Sequence, residues 1–165
     1  MSLNYDKMSD TDAREHLAKA LNHFKFSMEL CVMQHQAGRM FLFEHPVAAT
    51  SWGSRMMQSM VRLDGVQTIN FDFCSLGMQA PDGTKNMKPV KKRTKVMTNS
   101  GHIAAALAKC QCSRDHDHVR LEGGKASACE VYPRFFCELI VKGLKREIED
   151  RKWLSKVTTP SWTRR

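Results

Sequence analysis

Apolar residues recur every three or four positions in several stretches of this chain, a spacing typical of amphipathic helices. The first stretch can be capped by Ser9 or Asp10 and ends near Gly38. Its apolar positions are Leu17, Leu21, Phe24, Met28, Cys31 and Val32. A second predicted helix follows Thr50, a short third covers 103–109, and the last opens at Pro133. The pattern therefore predicts four helices.

Short apolar or alternating runs lie between these helices. Residues 40–44 are almost continuously apolar, residues 66–73 alternate apolar with polar, and residues 93–98 form a third run. The segment 74–90, with its glycines and prolines, predicts a long loop between the last two runs. Helices and strands that alternate with short connections indicate a sheet built from crossover units. We therefore expect an α/β fold with an open sheet, mostly parallel, and flanking helices.

Length and composition suggest one folded unit. The chain has 165 residues, 42% of them hydrophobic and 26% charged, which are ordinary values for a globular protein. We expect a flexible lead-in at 1–9, a single α/β domain at 10–150 and a basic tail at 151–165. The first residues lack the basic and apolar regions of a secretory leader, and no long apolar window follows. This pattern predicts an intracellular protein, nuclear or cytoplasmic, without a membrane partner.

The strand at 40–44 stops abruptly on Glu44, His45 and Pro46. In open α/β sheets, ligands bind at the carboxyl ends of the strands, so a carboxylate and an imidazole placed there are candidate catalytic residues. Burial at such a position would favour the protonated carboxyl group and allow Glu44 to act as an acid. The alternative is structural, since Glu44 could interact with the start of the next helix or pair with a cation.

Positive charge is concentrated in two parts of the chain. The net charge is +9, and the excess lies in Lys85 to Lys95 and in the C-terminal tail from Arg151 to Arg165. Such a cluster favours a polyanionic partner, with nucleic acid first, although a basic run can also be only a solvated surface. The candidate nucleic-acid-binding residues are Lys88, Lys91, Lys92, Arg93 and Lys95.

Cysteine and histidine are clustered downstream. Cys110, Cys112, His116 and His118 lie close together, with Cys137 further along. A tetrahedral zinc ion takes four such ligands, and the expected set is Cys112, His116, His118 and Cys137. The alternative is a group of buried thiols and hydrogen-bonded histidines. Cys74, just after the second strand and beside the basic loop, is the best-placed cysteine for a nucleophile.

Several segments together resemble a known family. They are residues 41–52, Phe71-Asp72-Phe73-Cys74 with Gly77-Met78, residues 89–100, His116-Asp117-His118, Glu122-Gly123-Gly124 and Val131-Tyr132-Pro133. Over roughly residues 13–143 the chain is similar to the methyltransferase-like domain of retroelement (copia-type) polyproteins and of related protist, algal and fungal proteins. That domain is distantly similar to cytosine-C5 DNA methyltransferases.

The resemblance covers only the C-terminal part of that domain, and it implies that the open sheet is a partial Rossmann-like, class I methyltransferase-like one. In complete members, preceding segments bind S-adenosylmethionine and supply the thiol nucleophile, so it implies a truncated domain that contacts nucleic acid, DNA before RNA, and is inactive alone. It also implies that Glu44 matches the glutamate that contacts the flipped base, while His45 departs from the usual asparagine. The missing N-terminal half, or self-association, would complete the domain.

Two other functions are compatible with the residues. One is a non-enzymatic, basic nucleic-acid-binding module with a structural zinc site. The other is a complete small enzyme that uses Glu44, His45 and Cys74.

Overall fold

The fold is organised around one three-stranded sheet. The computed structural model describes residues 8–121 and 129–157, except for the side chains of 153–157. The helices are α1 (Asp10–Gln36), α2 (Arg55–Val61), α3 (Gly101–Ala108) and α4 (Arg134–Val157). The strands are β1 (Leu42–Pro46), β2 (Gln67–Asp72), β3 (Gln79–Pro81), β4 (Met87–Pro89) and β5 (Arg93–Thr98). The predicted mixture of helix and strand is therefore confirmed.

The predicted parallel pairing is wrong. The strand order is β1-β5-β2, and β5 pairs antiparallel with both neighbours. β1 and β2 therefore run in the same direction but are not hydrogen-bonded to each other. The misleading feature was the apolar run at 40–44, because a run of apolar residues also suits a strand covered by helices on both faces, whatever its direction.

A short hairpin explains how β5 reaches the centre of the sheet. The segment 74–90, expected to be a long loop, contains the antiparallel pair β3 and β4, with Gln79 opposite Pro89. The Asp82 side chain accepts hydrogen bonds from the backbone N–H groups of Thr84 and Asn86, which closes the turn. This reversal sends the chain back along β2 instead of across the sheet.

Helices cover both faces of the sheet. Val96 of β5 packs in a core cluster with Ile103 and Leu107 of α3 and Phe136 of α4. The next residue, Met97, lies in a second cluster on the opposite face. That second cluster also contains Met28, Cys31, Phe41, Trp52, Met57 and Met60, from α1, the segment 41–52 and α2. The result is a three-layer α/β/α arrangement.

The C-terminal boundary of the predicted domain falls within a helix. Helix α4 continues to Val157, so the expected basic tail at 151–165 begins as a helix. Residues 1–7, 122–128 and 158–165 lie outside the described residues, and the Glu122-Gly123-Gly124 segment lies among them. In α1, Leu17 and Leu21 are 50% and 57% exposed, so the predicted apolar face is buried only from Met28 onward.

None of the helices that the structure describes has the length and apolar character needed to span a membrane.

Helices α3 and α4 approach very closely at Gly143. A Cβ atom there would lie 2.8 Å from Cγ1 and 3.0 Å from the backbone nitrogen of Ile103. We predict that Gly143→Val lowers the free energy of unfolding by about 1–3 kcal/mol, because the two helices must separate to accommodate the side chain.

Urea unfolding followed by circular dichroism measures this effect. Lys142→Val, at an exposed position of the same helix, controls for the helix propensity of valine. Equal stability of the two variants would contradict the close packing of α3 against α4.

Candidate metal centre and the Glu44 site

Four metal-binding side chains meet at one end of the sheet. One donor atom from each of Cys74, Cys112, His116 and His118 lies within 4.8 Å of all the others, and all four residues are half-buried. Cys74 lies in a 3-10 turn (Phe73–Leu76) directly after β2. The other three come from the segment that follows α3. This group could hold a metal ion.

The distances within the group are short and even. Sγ of Cys112 lies 3.7 Å from Nε2 of His116 and 3.4 Å from Nε2 of His118. The two Nε2 atoms are 3.1 Å apart. Each histidine therefore directs the same ring nitrogen toward a common point, as ligands of one ion do.

Surrounding groups hold these side chains in place. Nδ1 of His116 lies 2.8 Å from the Asp115 carboxylate, which leaves Nε2 free of its proton for a metal. The backbone N–H of Arg114, at φ 63°, donates to Sγ of Cys112 over 3.4 Å. The Cys112 N–H donates to Oδ2 of Asp72 at the end of β2. Such outer contacts are typical of metal centres.

The Cys74 thiol is unsuited to act as a nucleophile here. Desolvation, followed by the hydrogen bond to Cys112 and the nearby Cys112 and Asp72 charges, raises its pKa to about 11. At pH 7 only about one molecule in ten thousand would then carry the thiolate that attack requires. A bound cation would reverse this, since a coordinating thiol is deprotonated.

The other cysteines lie outside this group. Cys137, expected as the fourth ligand, is exposed on α4. Cys74 takes its place in the group of four. Cys31, Cys110 and Cys129 are buried, and desolvation raises the pKa of each. These three match the alternative of buried structural thiols.

Glu44 belongs to β1, which pairs with one edge of β5 while β2 pairs with the other. Its register partner is Val96, and its side chain shares a sheet face with Phe71 and Thr94 by strand alternation. Oε2 accepts a hydrogen bond of 2.8 Å from the Tyr132 hydroxyl. Oε1 is buried and has no hydrogen-bond partner among the described residues, and the same is true of the fully buried Thr94 hydroxyl.

An unpaired buried carboxylate oxygen is costly, so it marks a position where a donor is expected. Tyr132 sits between Glu44 and a cluster of rings, stacked 5.9 Å from Phe73 with Nζ of Lys92 above both rings. Burial, with the adjacent Glu44, raises the pKa of Tyr132, so the phenol keeps its proton and remains a donor.

His45 points to the other face of the sheet. Its ring lies 5.8 Å from that of Phe43, beside a cleft of about 650 Å³ between α1 and β1. Burial lowers its pKa despite the adjacent Glu44, which favours the neutral imidazole at pH 7. Glu44 and His45 both line this cleft, whereas Cys74, the third member of the set required for a complete small enzyme, lies with Cys112, His116 and His118.

The predicted nucleic-acid-binding residues divide between different environments. Lys88 pairs with Asp82 at 3.3 Å, and Nζ of Lys95 lies 4.9 Å above the Trp52 ring. Lys92 covers Phe73 and Tyr132, whereas Lys91 and Arg93 are exposed near the metal centre. The basic run is continuous in sequence but not as a surface.

Comparison with known proteins adds no relative: no protein-family model, curated protein or solved structure matches the chain.

The Tyr132–Glu44 contact should contribute measurably to stability. We predict that Tyr132→Phe lowers the free energy of unfolding by about 1 kcal/mol, because the carboxylate loses the only donor seen for it among the described residues. A double-mutant cycle with Glu44→Gln isolates the pairwise interaction. Additive effects of the two substitutions would show that the hydroxyl and the carboxylate do not interact in solution.

Proposed function

We propose that this chain is a zinc-stabilised nucleic-acid-binding module. The observation that carries this proposal is the closed set of four donors formed by Cys74, Cys112, His116 and His118. Two thiolates and two imidazoles are a common ligand set for structural zinc. With four protein ligands, no coordination position is left for a substrate, so the metal would stabilise the fold and take no part in a reaction.

The separations within the group fit zinc. From usual bond lengths, a tetrahedral zinc ion places two nitrogen ligands about 3.3 Å apart and a nitrogen and a sulfur ligand about 3.6 Å apart. The corresponding distances are 3.1 Å between the histidines and 3.4 and 3.7 Å from Cys112 to each of them. These ligands favour zinc over magnesium or calcium, which prefer oxygen.

The nucleic-acid part of the proposal rests on charge. The chain carries 26 lysines and arginines against 17 acidic residues, and a polyanion is the partner that such an excess attracts. DNA is favoured over RNA because of the resemblance to DNA methyltransferases.

A second candidate function is favoured by the Glu44 site. A methyltransferase-like domain would use this glutamate to contact a base taken out of the helix, and the buried, unpartnered Oε1 is an acceptor suited to a base amino or ring N–H group. Tyr132, which contacts Glu44, is 41% exposed and offers a ring on which a base can stack. Complete enzymes of this kind require S-adenosylmethionine, and this candidate assigns Glu44 a binding role only.

Metal content tests the first proposal. We predict one zinc ion per chain for the wild-type protein and for Cys137→Ser, and well under half of that for Cys74→Ser, because a lost thiolate opens the site. Mass spectrometry of the purified, dialysed proteins gives the ratio of zinc to protein.

Cys137→Ser is the matched control, since the exposed Cys137 was the ligand expected from sequence alone. Loss of zinc in that variant with retention in Cys74→Ser, or no zinc in any variant, would refute the centre.

Base contact by Glu44 predicts a selective loss of binding. Glu44→Ala should weaken binding to a single-stranded oligonucleotide several-fold but leave binding to its abasic counterpart unchanged, because only the base contact is removed. Fluorescence anisotropy measures both affinities. An equal effect on the two oligonucleotides would exclude a base-contacting role.

A further inference from the structure

We propose that the metal centre assembles a phosphate-binding surface from four exposed cations that are distant in sequence: Lys91, Arg93, Arg114 and Arg120. This inference rests on the proposed function and goes further, since it assigns the nucleic-acid contact to a particular surface and makes it dependent on the metal. It also replaces the linear basic run, from which it keeps only Lys91 and Arg93.

Arg93 and Arg114 lie on two sides of Cys112. Nε of Arg93 is 4.0 Å from Oδ1 of Asp72, whose other oxygen accepts the N–H of Cys112. Arg114 belongs to the turn that closes around Cys112, since its own N–H donates to that sulfur. The metal ligand therefore connects an arginine of β5 to an arginine of the downstream loop.

Lys91 and Arg120 are joined on the other side of the centre. Val90 and Val119 form a parallel bridge, in which the N–H of Lys91 donates to the Val119 carbonyl over 3.0 Å. Val119 directly follows the metal-binding His118, and its own N–H donates to the carbonyl of Pro89 over 2.8 Å. Lys91 and Arg120 are both exposed beside this bridge.

Among the described residues around the centre, the four cations outnumber three acidic residues, Asp72, Asp115 and Asp117. Asp115 is held by His116 and Ser113, and Asp72 by the N–H of Cys112 and by Arg93. Zinc with two thiolates and two neutral imidazoles is formally uncharged. The surface around the centre therefore keeps a positive charge suited to phosphate groups.

The remaining cations of the basic run are held elsewhere. Lys88 pairs with Asp82, Lys92 lies over the Phe73 ring and Lys95 over the Trp52 ring. A phosphate contact at these positions would have to displace an existing interaction. Lys91 is exposed, and the Arg93 side chain is 57% exposed, with its Nε 4.0 Å from Asp72.

Binding to this surface should depend on the metal because little else holds the loop between Cys112 and Val119 in place. Between Cys112 and Val119 every residue is exposed or half-buried, so little apolar burial fixes the segment that carries Arg114 and leads to Arg120. Four bonds to one ion would fix it. Removing zinc should therefore release Arg114 from its place near Arg93 without unfolding the sheet, while the Val119 bridge keeps Arg120 beside Lys91.

The test is fluorescence anisotropy with labelled single-stranded DNA, RNA of the same sequence and the DNA duplex, over a series of salt concentrations. For the zinc-loaded protein, we expect Arg114→Ala with Arg120→Ala to weaken binding about tenfold or more and to reduce the salt slope by about 1.5–2 units on the duplex. Arg14→Ala with Arg62→Ala removes the same charge from exposed positions in α1 and after α2, and should change affinity less than about threefold.

Metal removal provides the second arm. Cys74→Ser, which releases Arg114, should weaken binding several-fold but no more than Arg114→Ala with Arg120→Ala, while circular dichroism shows the sheet and helices retained. Equal losses for the two arginine pairs would overturn the inference, as would unchanged binding by a zinc-free Cys74→Ser chain.

The outcomes also separate this inference from the proposed function. A wild-type chain that binds zinc and nucleic acid, with the Arg114 and Arg120 pair no different from its control, refutes only the surface. A wild-type chain that binds neither refutes both.

Discussion

Four side chains with lone pairs directed at one point form the constraint on which this end of the molecule depends. Nε2 of His116 and Nε2 of His118 approach within 3.1 Å, with the Cys112 sulfur at similar distances, and Cys74 completes the group. Two acceptor nitrogens repel each other unless a proton or a cation lies between them. A divalent ion bound there would satisfy all four donors at once and would remove the cost of the partly desolvated thiols. The same four bonds would then hold the loop after α3 and the turn after β2.

The antiparallel sheet brings the cations to this centre. Because β5 runs against β2, the start of β5 lies beside the end of β2, and Arg93 is the register partner of Asp72. The metal ligand Cys74 follows Asp72 closely, and Lys91 precedes Arg93, so ligand and cations share one end of the sheet. A parallel arrangement of these two strands would have placed the start of β5 at the opposite end. Strand direction therefore decides which side chains share this end of the sheet.

Local patterns in the sequence predicted the elements better than their arrangement. The 3.6-residue periodicity located α1 and α4, and the three apolar runs each became a strand of the central sheet. Strand direction depends on the connection, and the Asp82 turn that reverses the chain lay inside a segment read as loop. In the metal group, Cys112, His116 and His118 are neighbours in sequence, but Cys74 is 38 residues upstream of Cys112, so only the fold brings it there. Its position just after a strand was the available signal, and that position suits a nucleophile as well as a metal ligand. Glu44 is recognisable in the sequence because a carboxylate ends an apolar run. Its partner Tyr132 is not, because it lies 88 residues away.

Glu44 and the metal centre are two separate features joined through Phe73, which precedes Cys74 and stacks on Tyr132. X-ray absorption at the zinc edge of the purified protein tests the metal centre most directly. We expect a four-coordinate site with two sulfur ligands at about 2.3 Å and two nitrogen ligands at about 2.0–2.1 Å. A six-coordinate spectrum with oxygen and nitrogen ligands alone, or a site with a single sulfur, would contradict it.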